Sequence, residues 1–361
     1  MKKILFFSLI ILIFSCQNDD GFNDDCLNEK IDIGNKINGG SILQTHFLAA
    51  IPTGIPDGEI KTTDLKQKTH ANWVSLSPII ALDVGGTNAN GNPYSFKPSQ
   101  EIYKMKIIIP KMSNSGLSNV MIKPNTVFWV VDGSSFWGDF YATTETEWRN
   151  VEIAYEELIY EFAKLSKEFP EVKILSIGNE LREFTKRRPQ FFKNLISRIR
   201  TDFPELKLTY AANWDEYDSV TFWGDLDYIG INPYFSLVNK KTATVKEIER
   251  AFVPIESKLK NMSCTYQKPI LFTEYGFRSM DYATWKPWLL GDVTTSSFNF
   301  AVQENAYNAF YNTFWEQSWV AGGFFWEWET VGNGETSNPN NNGWYVNNKP
   351  VERIIKERYS R

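Results

Sequence analysis

From about Ser41 to the end of the 361-residue chain, short apolar runs alternate with amphipathic stretches. A strand covered by helices on both faces reads as a continuous hydrophobic run, so this alternation marks βα units built on a parallel sheet. The apolar runs fall at 42–48, 73–80, 119–124, 173–177, 207–211, 228–232, 269–273 and 322–326. Helical periodicity lies between them. Ile153, Leu158, Phe162 and Leu165 recur through 148–169, and Leu195, Ile196 and Ile199 through 191–203. Eight strands with intervening helices predict an α/β fold, a single (β/α)₈ TIM barrel over residues 41–361. A doubly wound open sheet is the alternative, but no glycine-rich phosphate loop follows the first strand.

The residues before the barrel read as a processing signal and a tether. Lys2 and Lys3 precede an apolar run over 4–14 that ends in Ser15 and Cys16. That run is shorter than the ~20 residues a spanning helix needs, and it fits a secretory signal. Its ending resembles a bacterial lipobox, which implies a signal peptide over 1–16 and lipidation of Cys16 as the mature N-terminus. A plain signal peptide that happens to end in Cys is the alternative. Residues 17–40, rich in Asn, Asp and Gly, read as a flexible tether. Their start, Gln17-Asn18-Asp19-Asp20, resembles the surface-export tag of Bacteroidetes-type lipoproteins. The expected location is therefore the cell envelope, as an outer-membrane lipoprotein facing outward or inward, with the lipid as its sole membrane contact. Cys26 and Cys264 are expected as free thiols, because Cys26 falls in the tether.

Charge and composition narrow the partners. A net charge of −5 opposes a polyanion, and the only basic run is Lys186-Arg187-Arg188, so no nucleic acid is expected. The two histidines, His46 and His70, are too few for a Ser-His-Asp centre or a His-ligated metal. No CxxC pair and no Walker or dinucleotide motif is present, so neither metal nor cofactor is expected. Carboxylates and aromatic rings remain, with Trp 13, Tyr 16 and Phe 26. Such rings serve both in cores and as stacking surfaces in clefts.

Two carboxylates stand where an apolar strand should end in something bland. Leu175-Ser176-Ile177-Gly178-Asn179-Glu180 closes the fourth expected strand, and Ile270-Leu271-Phe272-Thr273-Glu274-Tyr275 closes the seventh. Those strands lie on opposite sides of a barrel mouth, so Glu180 and Glu274 can converge across it. A retaining glycosidase needs such a pair, one carboxylic acid to protonate the leaving oxygen and one carboxylate to attack the anomeric carbon. Trp129, Trp137, Trp214, Trp326 and Trp328 fall at or after strand ends, where a glycan would lie, and Trp326 is the leading platform. Glu327 reads as a hydroxyl acceptor or a solvated side chain. The loops over 84–100 and 331–343 follow expected strands and so fall on the catalytic face, the latter reading as a solvated loop without function or, alternatively, as a mobile rim.

The segments Asn72-Trp73-Val74-Ser75-Leu76-Ser77-Pro78, Gly178-Asn179-Glu180, Ala212-Asn213-Trp214-Asp215, Gly230-Ile231-Asn232-Pro233-Tyr234 and Thr273-Glu274-Tyr275-Gly276 together resemble glycoside hydrolase family 113. The resemblance runs from about Ala71 to Trp328 and implies a retaining endo-β-1,4-mannanase acting on mannan or glucomannan. It implies Glu180 as acid/base, Glu274 as nucleophile, Asn179 on the sugar 2-hydroxyl and Tyr234 on the nucleophile. After Lys123-Pro124 this chain carries Asn125 where the family usually has His, so the sugar subsite differs there. Asn125, Trp129, Trp214 and Trp326 complete the expected substrate-binding set. A polysaccharide or oligosaccharide is the expected partner of a monomer. The competing readings are a non-catalytic glycan-binding lipoprotein and a glycosidase for another β-glycan; retention of both carboxylates argues against the first.

Overall fold

Parallel pairing runs unbroken around a ring. The computed structural model describes residues 31–43, 63–82, 98–128, 136–289, 298–329 and 342–361. Its strands are β1 (Ile37–Leu43), β2 (Trp73–Ser77), β3 (Ile79–Leu82), β4 (Val120–Ile122), β5 (Asn125–Phe128), β6 (Val172–Asn179), β7 (Lys207–Asn213), β8 (Ile229–Asn232), β9 (Ile270–Tyr275) and β10 (Val320–Phe325). Eight of them close in the order β1-β10-β9-β8-β7-β6-β4-β2, the expected (β/α)₈ barrel. Helices α1 (Thr63–Thr69), α2 (Pro98–Asn114), α3 (Glu145–Glu168), α4 (Arg182–Arg187), α5 (Pro189–Asp202), α6 (Val245–Tyr266), α7 (Phe300–Phe310) and α8 (Pro350–Tyr359) follow in chain order.

One expected strand divides at a proline, and another stops at one with an unexpected strand beyond it. Pro78 ends β2 and Pro124 follows β4, and neither can donate to a ladder. Beyond them β3 and β5 pair as a separate parallel ribbon, opened by the Asn125 amide donating to the Pro78 carbonyl at 2.7 Å. The ribbon carries Ile79 and Asn125 up to the mouth.

The barrel begins earlier than expected, at Ile37 rather than 42, inside the stretch read as tether. Gly39 and Gly40 suggested a linker, but they are packing glycines. A Cβ on Gly39 would enter the Phe324 ring, and one on Gly40 would lie 2.7 Å from Phe325 Cζ. The Tyr359 hydroxyl from α8 donates to the Gly39 carbonyl at 2.8 Å, so the last helix locks the first strand. At the opposite end from the mouth, His70 precedes β2 and its Nδ1 lies 2.7 Å from Ser360 Oγ, on the expected stability face.

The interior is filled rather than hollow, with Ile37, Met121, Ile174, Leu271, Ala321 and Phe324 forming one buried cluster. A larger apolar layer separates strands from helices. In α3 the core face is Val151, Tyr155, Leu158, Ile159 and Phe162. Burial of each such side chain is worth about 1.5–3 kcal/mol. Ile153 departs from the expected stripe and is 60% exposed, because residue 155, not 153, continues the face of 151 and 158. Thr144 caps α3 by accepting from the Glu147 amide at 3.2 Å while Glu147 returns the bond to the Thr144 amide, so the helix starts before 148.

Cys264, near the foot of α6, is disulfide-bonded, against the expectation of a free thiol. Its sulfur partner lies outside the described residues. The chain leading into β1 runs near this end of the barrel, where Asp32 acts on Tyr228, a closeness that sequence separation conceals.

Candidate active site

Both expected carboxylates sit beside irregularities in their strands. Along β6 and β7, Ser176 pairs with Thr209 but Asn179 with Ala211, so β6 holds one extra residue just before Glu180. Along β9 and β10, Phe272 pairs with Gly323 but Tyr275 with Phe325, and the extra residue falls at Thr273 and Glu274. Such bulges re-aim side chains at barrel rims. Glu180 itself adopts φ +55°, a left-handed conformation uncommon outside glycine. The Glu180 amide is tied to the Ala211 carbonyl (2.8 Å) and the Leu181 amide to the Tyr210 hydroxyl (2.6 Å), which hold that conformation.

The two carboxyls face unlike surroundings. Glu180 accepts one hydrogen bond, from Asn232 Nδ2 at 2.9 Å. Burial, and then the negative charge of Glu274, push its carboxyl up to about 8, so at neutral pH it carries a proton. Glu274 instead forms an ion pair with Lys123 and accepts from the Tyr234 hydroxyl at 2.8 Å. Both of its partners are donors, which suits a carboxylate. Lys123 is fully buried and also reaches Asn125 Oδ1 (3.1 Å) and Asn179 Oδ1 (3.3 Å), while standing 5.2 Å from the Trp326 ring centre.

Asn232 links the two halves. It donates to both Asn179 Oδ1 (3.0 Å) and Glu180, and accepts from Thr273 Oγ1 at 2.7 Å. The Asn179 carbonyl is thereby committed to protein donors. Its amide nitrogen has no hydrogen-bond partner among the described residues and is left to give to a ligand.

Around these groups lies a cleft of about 620 Å³. Glu180, Glu274, Asn125, Asn179, Trp214, Tyr234 and Trp326 all line it, so the structure brings the expected residues together. Trp129 and Cys16 lie outside the described residues, as do His46 and most of both loops expected on the catalytic face. Two readings are corrected. Trp328 is 1% exposed and packs on Phe325 in the core, since its amide is drawn inward to the Ser41 carbonyl at 2.9 Å. Glu327 is buried rather than solvated. Burial and then the Glu274 charge raise it to about 8, and its Oε2 has no hydrogen-bond partner among the described residues.

Several residues were missed. Trp288 and Trp344 line the cleft, Trp288 stacked on Trp214 with centroids 4.5 Å apart at 18°. Each follows a barrel strand, which is the only signal that could have found it. Lys123 and Asn232 were visible within motifs, but a lysine at a strand end reads as a surface charge. Glu216 stands behind Glu180, and its Oε1 accepts from the Tyr210 hydroxyl and the Asn213 amide, both at 2.9 Å.

A protonated carboxyl opposite an ion-paired carboxylate, framed by indoles at the C-terminal rim of a (β/α)₈ barrel, defines the glycoside hydrolase class. The family model of Glycoside Hydrolase Family 113 matches residues 58–349, and the chain belongs to that family. Among solved structures it resembles the GH113 β-mannanase AaManA from Alicyclobacillus acidocaldarius in complex with ManMIm, with TM-score 0.70 and 18% identity over 92% of this chain and 99% of that one. It also resembles a GH113 β-1,4-mannanase complex, with TM-score 0.68 and 20% identity over 91% and 99%. A stretch of 120 residues is 28% identical to the β-glucuronidase of Canis lupus familiaris, covering 33% of this chain but only 18% of that enzyme.

Proposed function

We propose that this protein cleaves β-1,4-linked polysaccharide, mannan or glucomannan first, with retention of configuration. Glu274 attacks the anomeric carbon while Glu180 gives its proton to the departing oxygen. Water, deprotonated by the same Glu180, then releases the glycosyl-enzyme. The observation that carries this reading is the split between the two carboxyls, one held neutral by burial and the other in an ion pair with Lys123. A binding protein needs no such division. The Asn179 amide is the candidate donor to the 2-hydroxyl, whose axial or equatorial orientation separates mannose from glucose. The two family 113 mannanases favour the mannan choice.

Glu274→Ala should abolish turnover without loss of fold, and azide should restore a product of inverted configuration. Glu180→Gln should slow substrates with poor leaving groups most. Wild-type rates in both variants would remove the assignment. Initial rates on glucomannan, galactomannan, carboxymethyl cellulose, β-glucan and xylan decide the glycan. Faster release from β-glucan or xylan than from either mannan overturns the substrate while leaving the mechanism.

The lipid anchor on Cys16, an envelope location and a monomeric state belong to the same proposal. The support is the apolar run ending in Ser15-Cys16. Among the described residues no helix is long and apolar enough to cross a membrane. Unchanged membrane fractionation of Cys16→Ala in its native host would count against the anchor.

A further inference from the structure

Arg278 is a buried cation that the chemistry of the two carboxyls does not use. It follows β9, the strand that carries Glu274, and is 2% exposed. Among the described residues no carboxylate pairs with it, and its Nε and Nη2 have no hydrogen-bond partner. Burying a charge with so few partners costs stability, which directs attention to what its other contacts hold.

Those contacts reach the wall of the cleft. Nη1 donates to the Leu289 carbonyl, one residue past Trp288. The guanidinium carbon stands 5.1 Å from the centre of the Trp344 ring. Trp288 and Trp344 are both half-buried and line the cleft with Trp214, whereas Arg278 does not line it. The guanidinium therefore backs the wall and leaves its open surface to a ligand. Trp288 in turn stacks on Trp214, with centroids 4.5 Å apart. Gly276 admits Trp344, since a Cβ there would lie 3.4 Å from Trp344 Cδ1. Lys349 supports the same turn by donating to the Gly343 carbonyl and to Ser279 Oγ, both at 3.0 Å. Neither Trp288 nor Trp344 lies on a strand, so the barrel ladder does not fix the plane of either ring. A ring that must be ordered when ligand arrives gives up binding free energy to that ordering.

We propose that Arg278 is a positioning residue that holds Trp288 and Trp344 in place as one preformed wall for the C–H face of a sugar. This rests on the cleft being the site of a glycan. The test uses Arg278→Met, which keeps the length of the side chain and removes its charge and donors. A second variant, Arg278→Lys, can keep one of the two contacts but not both. Stacked indoles couple their transitions, so the Trp214–Trp288 pair should give an exciton couplet in circular dichroism, identified by its loss in Trp288→Leu. Arg278→Met should weaken the couplet and raise KM for a β-1,4-linked hexasaccharide, in the manno or gluco series, about tenfold. Its kcat should hold, because the carboxyls are untouched. Arg278→Lys should show the same changes to a smaller degree, and it decides the matter if Arg278→Met does not fold. An unchanged couplet or an unchanged KM overturns the proposal, as does a fall in kcat at constant KM. If the wild-type protein cleaves neither series, the catalytic reading falls, and the couplet with the hexasaccharide dissociation constant still decides for Arg278.

Discussion

Glu216 is buried outside the lining of the cleft and acts on Glu180 through its charge. Its carboxylate receives the Tyr210 hydroxyl, which in turn receives the Leu181 amide, so a buried chain of bonds ends one residue from the acid. Burial lifts Glu216 to about 7, and once ionised its charge adds to what holds Glu180 up. Glu180 also feels Glu274, Asn232 and Lys123. Glu216→Gln keeps an oxygen for both donors and removes the charge. The alkaline limb of kcat/KM should therefore move down from about 8 while the rate at lower pH holds. A pH–rate profile checks this, and an unmoved limb would show that Glu216 only braces the turn. At this scale Glu180 and Glu274 were legible, since a carboxylate ending an apolar strand stands out. Glu216 and Lys123 were not, because nothing local distinguishes a buried ionisable group from a solvated one.

Strand geometry is where glycine and proline act. Gly39 admits Phe324 against β1, and replacing it with Ala puts a methyl group into that ring. Gly39→Ala should destabilise the fold by about 1–3 kcal/mol, as overpacking does. Phe324→Leu should offset part of that loss, and denaturant midpoints of the two single variants and the double variant measure the coupling. Strictly additive losses would mean that the contact is not the cause. The strands were readable from their hydrophobic runs. Their ends were not, because Gly39 and Gly40 resemble a linker and the break at Pro78 shows only when β3 finds β5. The bulges at Ser176–Asn179 and Phe272–Tyr275 arise from pairing between strands distant in sequence, so no local pattern announces them.

Across the whole molecule, three buried carboxyls set a pH dependence of stability. Glu180 and Glu327 rise to about 8 and Glu216 to about 7, from ordinary values near 4.5. Between about 4.5 and 7 the folded chain therefore holds protons that the unfolded chain has released, and stability falls as pH rises through that window. Lys349 and Lys36, lowered by burial to about 7 and 8, bind fewer protons when folded and oppose the trend only above those values. Urea midpoints should fall from pH 5 to pH 7, with a shallower slope in Glu327→Gln. A flat or rising profile would mean that these acids ionise freely in the folded state.

Hydrophobic periodicity was enough for the barrel, its eight strands and the two carboxylates at its rim. It was enough because strand burial is a local property that a run of apolar side chains records directly, and a carboxylate closing such a run stands out within it. The neutral state of Glu180, the partnership of Lys123 with Glu274, the clamp at Asn232 and the stacking of Trp288 on Trp214 exist only after closure. Each depends on which groups meet across the mouth and how much water they exclude, and those quantities belong to pairs of residues far apart in the chain.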